Sequence, residues 1–201
     1  NTPIKVLEKE YHLSYPFVFE DNGLFYMIPE SKENKTIDLY VSTNFPYVWE
    51  FKKTLIKNIA AVDATILFHK EKYWIFANVV RNEGASSLDE LFLYSSNILI
   101  SDNWVPHPNN PIVSDVRKSR PAGNLFSYKN NLYRPSQNCS KHYGYGMKIN
   151  QVLNLTETNY EEKVVNSIYP NWDKKLFATH TLSSCENLTV IDGCFKRRRY
   201  F

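Results

Sequence analysis

The chain has 201 residues, 43% hydrophobic and 15% aromatic, and its 24 Lys and Arg against 21 Asp and Glu give a formal charge of +3. That length can bury a sizeable core, and no stretch approaches the roughly 20 apolar residues of a membrane-crossing helix. With only six glycines and no phosphate-cradling run of them, a nucleotide-binding loop is excluded, and a small charge spread along the chain speaks against nucleic acid as a partner.

In chain order, "IKVLEKEY" (Ile4–Tyr11) reads as a strand. It is followed by "SYPFVFEDNGLFYMIPES", two apolar runs joined at Asp21-Asn22-Gly23, the composition of a β-hairpin. "IDLYVS" and "YVWEFKKTLI" supply two further strands. The pattern then recurs: "VDATILFHKEKYWIFANV" with "DELFLYSS" and "NWVPHPNNPIV", then "SRPAGNLFSYKNNLYRPSQ" with "YGYGMKINQVL" and "NYEEKVV". A fourth, shorter copy is "ATHTLSSCENLTVIDG". The copies open at Ser14, Val62, Ser119 and Thr179, spaced by 48, 57 and 60 residues. A period near 50 residues signals a repeat architecture, and repeated four-stranded antiparallel sheets are the blades of a β-propeller. Trp49, Trp104 and Tyr160 stand near the start of each outermost strand. The expectation is an all-β chain, residues 1–201 forming one β-propeller domain. It would hold three full blades, the inner hairpin of another, and an N-terminal strand from a blade that is otherwise missing.

Cys139, Cys185 and Cys194 have no metal-ligand spacing; Cys185 and Cys194 face each other across a hairpin, so a disulfide and free thiols are both open readings. His69, His107 and His142 lack ligand spacing, and no metal or other cofactor is expected. Asn-x-Ser/Thr sequons at Asn34, Asn138, Asn154 and Asn187 leave the compartment unassigned. The basic run "KRRRY" (Lys196–Tyr200) is read as a solvated tail.

The run "YHLSYPFVFEDNGLFYMIPES", together with "VDATILF", "WVPHPNNPI", "SRPAG", "LYRPSQNC" and "THT…VIDG", resembles the N-terminal propeller domain of glucosamine inositolphosphorylceramide transferases, in order from about Val6 to Gly193. That domain is in turn similar to the five-bladed propellers of glycoside hydrolase families 43, 32 and 68. The resemblance implies a carbohydrate-recognising scaffold whose hydrolase cousins set three carboxylates about the axis, the first of them in a first blade that this sequence lacks. In the transferases the transfer chemistry belongs to a separate C-terminal domain, so an accessory role beside a fused or partner sugar-modifying domain is implied.

Inner strands line a propeller's axis, so residues at the ends of each hairpin are the candidates for ligand contact: His12, Tyr15, Asp63, Arg120 and His180. Asp63 and Glu30 are the candidate catalytic carboxylates, because glycosidic hydrolysis needs a pair. The alternatives are a strand-end aspartate satisfied by backbone N–H groups and a surface glutamate after Pro29. Arg120 and Arg134 flank one hairpin and suit a carboxylate, a phosphate or vicinal hydroxyls, or else brace neighbouring blades. Gln137, Tyr143 and Tyr145 offer amide and aromatic groups of the kind sugars meet. His180 and Asp192 form a potential proton-transfer pair without a nucleophile. The reading is a saccharide- or glycoconjugate-binding, glycosidase-like propeller. An active glycoside hydrolase and a protein-interaction propeller are the alternatives.

Overall fold

A computed structural model describes residues 2–185 and 187–196. The first sheet takes β1 (Ser14–Asp21), β2 (Leu24–Ser31), β3 (Thr36–Asn44) and β4 (Val48–Lys57) in the order β1-β2-β3-β4, all antiparallel. The second sheet is β5 (Ala61–His69), β6 (Lys72–Val79), β7 (Glu90–Ser96), β8 (Val105–Pro106) and β9 (Val113–Ser114). The third is β10 (Phe126–Tyr128), β11 (Asn131–Asn138), β12 (Gly146–Leu155) and β13 (Tyr160–Ile168). Two small pairs follow: β14 (Leu176–Ala178) with β17 (Cys194–Phe195), and β15 (Leu182–Cys185) with β16 (Leu188–Ile191).

The inner hairpins share one turn chemistry. Asn22-Gly23, Lys70-Glu71 and Lys129-Asn130 all have positive φ at both central positions, as two-residue hairpins require to match strand twist. Only the first carries the Asn-Gly signature; the other two adopt the same turn without glycine.

The second sheet's outer strand is broken. β8 and β9 pair in succession along β7, through Tyr94↔Pro106 and Leu91↔Val113. Pro106, Pro108 and Pro111 cannot donate to a ladder. The Asn110 side chain spans the gap instead, accepting from Leu93 N–H at 2.8 Å and donating to Leu93 O at 2.9 Å.

Alternation within β6 explains the packing. Tyr73, Ile75, Ala77 and Val79 join a core with Ile28, Ile37 and Leu39 of the first sheet. Trp74 and Phe76, pointing the other way, join a core with Leu125, Leu132 and Leu155 of the third. A strand buried on both faces must be apolar throughout, as "KYWIFANV" is apart from its ends. The three sheets therefore stack face to face in sequence order.

One expected element is absent: residues 4–9 form no strand. Ile4 is 64% exposed, Lys9 lies over the Tyr40 ring, and the His12 N–H donates to Glu33. The segment is tied by side chains to the first sheet and pairs with no strand edge. The basic tail from Arg197 onward lies outside the described residues. Cys139, Cys185 and Cys194 are free thiols, the first buried and the others exposed.

Candidate functional site

Two inner strands begin with the same irregularity. β1 shifts register between Ser14 and Phe17, and β5 between Val62 and Thr65. Within these bulges Tyr15 has φ 41° and Asp63 φ 51°. The left-handed conformation is uncommon for a residue with a side chain, and bulges of this kind re-aim a side chain at a sheet's rim. Here the first bulge turns Tyr15 onto the second sheet, its hydroxyl 3.0 Å from Thr65 Oγ1, and the second turns Asp63 onto Arg120 and Gln137. The second strands return to the same end. Glu30 pairs with Ser14, and Gln137 donates its N–H to Arg120 O.

The result is a buried polar cluster drawn from three sheets. Asp63 is 2% exposed, and its Oδ2 accepts from Arg120 Nε at 2.6 Å and from Gln137 Nε2 at 2.9 Å. Gln137 also donates to Pro121 O, which fixes which way its amide points. Arg120 reaches Ser87 Oγ at 3.3 Å and sits 3.8 Å from Glu30 Oε2. Glu30 is 8% exposed and its Oε2 has no hydrogen-bond partner. Burial, and then the charge of Asp63 beside it, push the Glu30 carboxyl above the ordinary range; Arg120 offsets part of this. Burial likewise pushes up the thiol of Cys139, whose Sγ lies 3.7 Å from Gln137 Oε1.

At the mouth, the Tyr143 ring lies 5.0 Å from the Arg120 guanidinium carbon and meets His180 edge-on at 5.1 Å. His180 Nδ1 is ion-paired with Asp192 Oδ2. Asp192 Oδ1 accepts the backbone N–H groups of His180 and Thr181, both at 2.8 Å. Burial alone would raise this carboxyl, but His180 and the two N–H groups outweigh it and hold it well below the usual range.

Of the sequence-predicted residues, the structure gathers Tyr15, Glu30, Asp63, Arg120, Gln137, Tyr143, His180 and Asp192. It leaves out two. Arg134 is 1% exposed, with Nε and Nη2 each 2.8 Å from the Glu162 carboxylate and its remaining donors on Ser119 O and Lys118 O. It ties β11 to β13 within the third sheet and does not brace neighbouring blades. His12 is exposed, and Tyr145 packs against His142 and Tyr169. Sequence reasoning missed Thr65, Ser87 and Cys139. Thr65 lies two residues after Asp63 and was within reach of a bulge argument; Ser87 comes from a loop with no pattern. Among the described residues, no group of three or more His, Cys, Asp or Glu is placed to hold a metal ion, and no helix is long and apolar enough to cross a membrane.

Below the cluster a cavity of about 780 Å³ runs between the inner strands. Tyr15, Gly123 and Thr181 line its cluster end, and Phe68, Leu188 and Val190 its far end. Asp63 and Arg120 are not in its wall; Tyr15 is the residue common to both.

The fold is that of glycoside hydrolase propellers. A GH43_1 enzyme from Xanthomonas citri complexed with xylotriose matches with a TM-score of 0.59 at 9% identity, over 88% of this chain and 66% of the enzyme. A family 117 glycoside hydrolase from the marine bacterium Zobellia galactanivorans matches with a TM-score of 0.59 at 12% identity, over 82% of this chain and 60% of the other. In sequence, the chain is 37% identical over 200 residues to glucosamine inositolphosphorylceramide transferase 1 of Arabidopsis thaliana, covering 93% of this chain and 26% of the relative. The rice (Oryza sativa subsp. japonica) protein of the same name is 35% identical over 162 residues, 80% of this chain and 22% of the relative. This chain thus spans about a quarter of the length of these curated relatives. The profile described as "Glucosamine inositolphosphorylceramide transferase 1, N-terminal" matches residues 4–192, and the chain belongs to that family.

Proposed function

We propose that this chain is a saccharide-binding module on a glycosidase-like propeller, accessory to a sugar-modifying activity carried elsewhere. One observation carries the reading. Glycosidic hydrolysis places two carboxyl groups about 5–9.5 Å apart on either side of the scissile bond. Here one guanidinium stands beside both acids, Arg120 Nε 2.6 Å from Asp63 Oδ2 and Nη2 3.8 Å from Glu30 Oε2, and Gln137 also donates to Asp63. Both acids are thus engaged by Arg120, which is held in turn beneath the Tyr143 ring. Tyr143 is 48% exposed, so an aromatic face and the donors of Arg120 and His180 meet at one mouth, the combination that grips a sugar's apolar face and hydroxyls. The five-bladed type and a single domain over residues 1–201 are parts of the same proposal.

The test is a panel of oligosaccharides and sugar nucleotides, read for products by mass spectrometry and for retained ligand by native mass. Retention without turnover, lost in Tyr143→Ala, is the expected result. Product formation that disappears in Asp63→Asn would make the chain a hydrolase and end the accessory reading.

A further inference from the structure

We infer that the outer edge of β16 is a docking edge for a second copy of this chain. Two β15–β16 hairpins, paired antiparallel about a two-fold axis, form one four-stranded sheet in the order β15-β16-β16-β15. The inference does not rest on the saccharide reading.

The repeat shows what this edge lacks. In the three larger sheets the second strand is covered on its outer side by a third, and β2, β6 and β11 are buried along most of their length. The fourth copy has an inner strand, β15, and a second strand, β16, and stops there. Every residue of β16 is exposed, Leu188 at 65% and Val190 at 56%. Among the described residues no strand pairs with its outer edge. A two-stranded hairpin by itself is marginal in water.

The outer strands of the larger sheets are defended against pairing. β4 carries Glu50, Lys52, Lys53 and Lys57, β13 carries Glu161 and Lys163, and the β8–β9 edge is interrupted by prolines. Charges and prolines on an edge are how sheets avoid joining one another. β16 reads Leu-Thr-Val-Ile, with no charge, proline or bulge, and β-branched residues suit a strand.

The backbone narrows the register. Asp192 N–H donates to Thr181 O, the pair next to Leu182↔Ile191. Bonding alternates along an antiparallel ladder, so the N–H and C=O groups of Ile191 and Thr189 face outward. In a two-fold antiparallel pair one residue lies opposite its own counterpart. Centred on Thr189, the two threonines exchange both N–H···O bonds, and Leu188 lies opposite Val190 of the second copy. Apolar then meets apolar and threonine meets threonine, both favourable cross-strand pairs. Centring on Val190 would instead set Leu188 against Asp192, whose carboxylate is engaged by His180. A foreign strand could meet the same backbone groups, but β16 already matches itself, and doubling the hairpin restores the four-strand count of the first and third sheets.

So short a pairing falls well below the ~1,200 Å² of a standard interface, and the association is weak. Sedimentation equilibrium should therefore show the mass rising from one chain toward two between about 10 µM and about 1 mM. Thr189→Lys sets two lysines opposite each other and should weaken association about tenfold or more. Thr189→Val should preserve it, and so should Val165→Lys on the β13 edge. These are exposed positions, and circular dichroism checks that the fold is kept. The register is read by crosslinking in a Cys185→Ser/Cys194→Ser background. Leu188→Cys mixed with Val190→Cys should give a disulfide-linked dimer under mild oxidation, and neither variant alone should, because only the mixture sets two thiols directly opposite. A single-chain mass across the whole range overturns the inference. A dimer that survives Thr189→Lys, or that crosslinks in either cysteine variant alone, also overturns it by placing the contact elsewhere. So does a monomer whose Thr189 and Ile191 amides exchange slowly, which would assign the edge to a strand of the same chain.

Discussion

Tyr15 and Asp63 occupy the same place in successive repeats, each the left-handed residue of a bulge that opens an inner strand, with φ of 41° and 51°. The backbone device is repeated while the side chain is not. Asp tolerates that conformation through local hydrogen bonding, whereas Tyr does so at a cost of about 1–3 kcal/mol. Keeping the strain at Tyr15 places a phenol hydroxyl on Thr65 of the neighbouring sheet, so the bulges both build the site and join the first two sheets at its floor.

The first prediction concerns the ion pair that the second bulge creates. Asp63→Ala leaves the Arg120 guanidinium buried with only the more distant Glu30 for a counter-charge. Breaking one side of a buried pair costs about 3–5 kcal/mol, a fall in Tm of roughly 10 °C for a domain of this size. The double variant Asp63→Ala/Arg120→Met should recover most of that loss. Thermal denaturation of the three proteins decides it; a double variant no more stable than the single would show that Asp63 acts through its backbone conformation and not through its charge.

Glu30 and Asp192 should give stability opposite dependences on pH. The Glu30 carboxyl is raised above its ordinary 4.5 in the fold, first by burial and then by Asp63. Its contribution is therefore full below that value and is lost as pH rises through the folded pKa. Asp192 is lowered from 3.8 by His180 and two backbone N–H groups, against the opposing pull of burial. Its contribution is present above the ordinary value and lost as pH falls through the folded one. Melting curves from about pH 3 to about pH 8 should show Glu30→Gln gaining on the unaltered protein as pH rises, and the disadvantage of Asp192→Asn starting to shrink at the acid end. Parallel curves for either variant would mean that its carboxyl is not perturbed by the fold.

The repeat and its four-stranded sheets were legible in the sequence because apolar alternation, turn residues and spacing agreed with one another. Even "NWVPHPNNPIV", whose prolines break the strand, sat where an outer strand belongs. The N-terminal run misled because Ile4 and Val6 alternate as a strand does, and alternation alone does not supply an edge to pair with. In the site, hairpin ends pointed to Tyr15, Asp63, Arg120 and His180, since topology alone brings them together. Arg134 was indistinguishable from Arg120 at that level. Which of two arginines on one hairpin finds Glu162 in the outer strand, and which finds Asp63 in the next sheet, depends on the strand face each occupies. The break in the third inner strand between Pro121 and Phe126 hides that face.

Thiol reactivity offers an independent check on the third sheet's packing. Cys185 and Cys194 are exposed, whereas Cys139 is buried and its thiol is raised by that burial. A thiol-reactive chromophore should titrate two of the three cysteines in the native protein and the third only in denaturant, because the thiolate is the reacting species and needs access. Three fast thiols in the native state would mean that the β11–β12 loop carrying Tyr143 opens readily, and the mouth with it.

The last prediction tests how the short β15–β16 hairpin is held to the rest. Gly123 has φ 123°, a region that L side chains rarely adopt, and a Cβ built there would lie 1.8 Å from the Leu182 carbonyl oxygen. That close approach lets Leu182 N–H reach Ala122 O at 2.7 Å and lets the Asn124 amide clasp Ser184. Gly123→Ala must push the loop and the hairpin apart. The three hydrogen bonds at risk, at roughly 1 kcal/mol each, amount to about 3 kcal/mol, and the backbone strain adds to that. The loss should be local: in hydrogen exchange the amides of Leu182 and Ser184 would exchange far faster, while those of Ile28 and Phe76 in the sheet cores keep their protection. Because His180 and Asp192 flank this hairpin, the same substitution should loosen the His180 side of the mouth and weaken saccharide retention without touching Arg120 or Tyr143. Uniform loss of protection across all sheets would instead make the hairpin part of one cooperative unit with the three sheets.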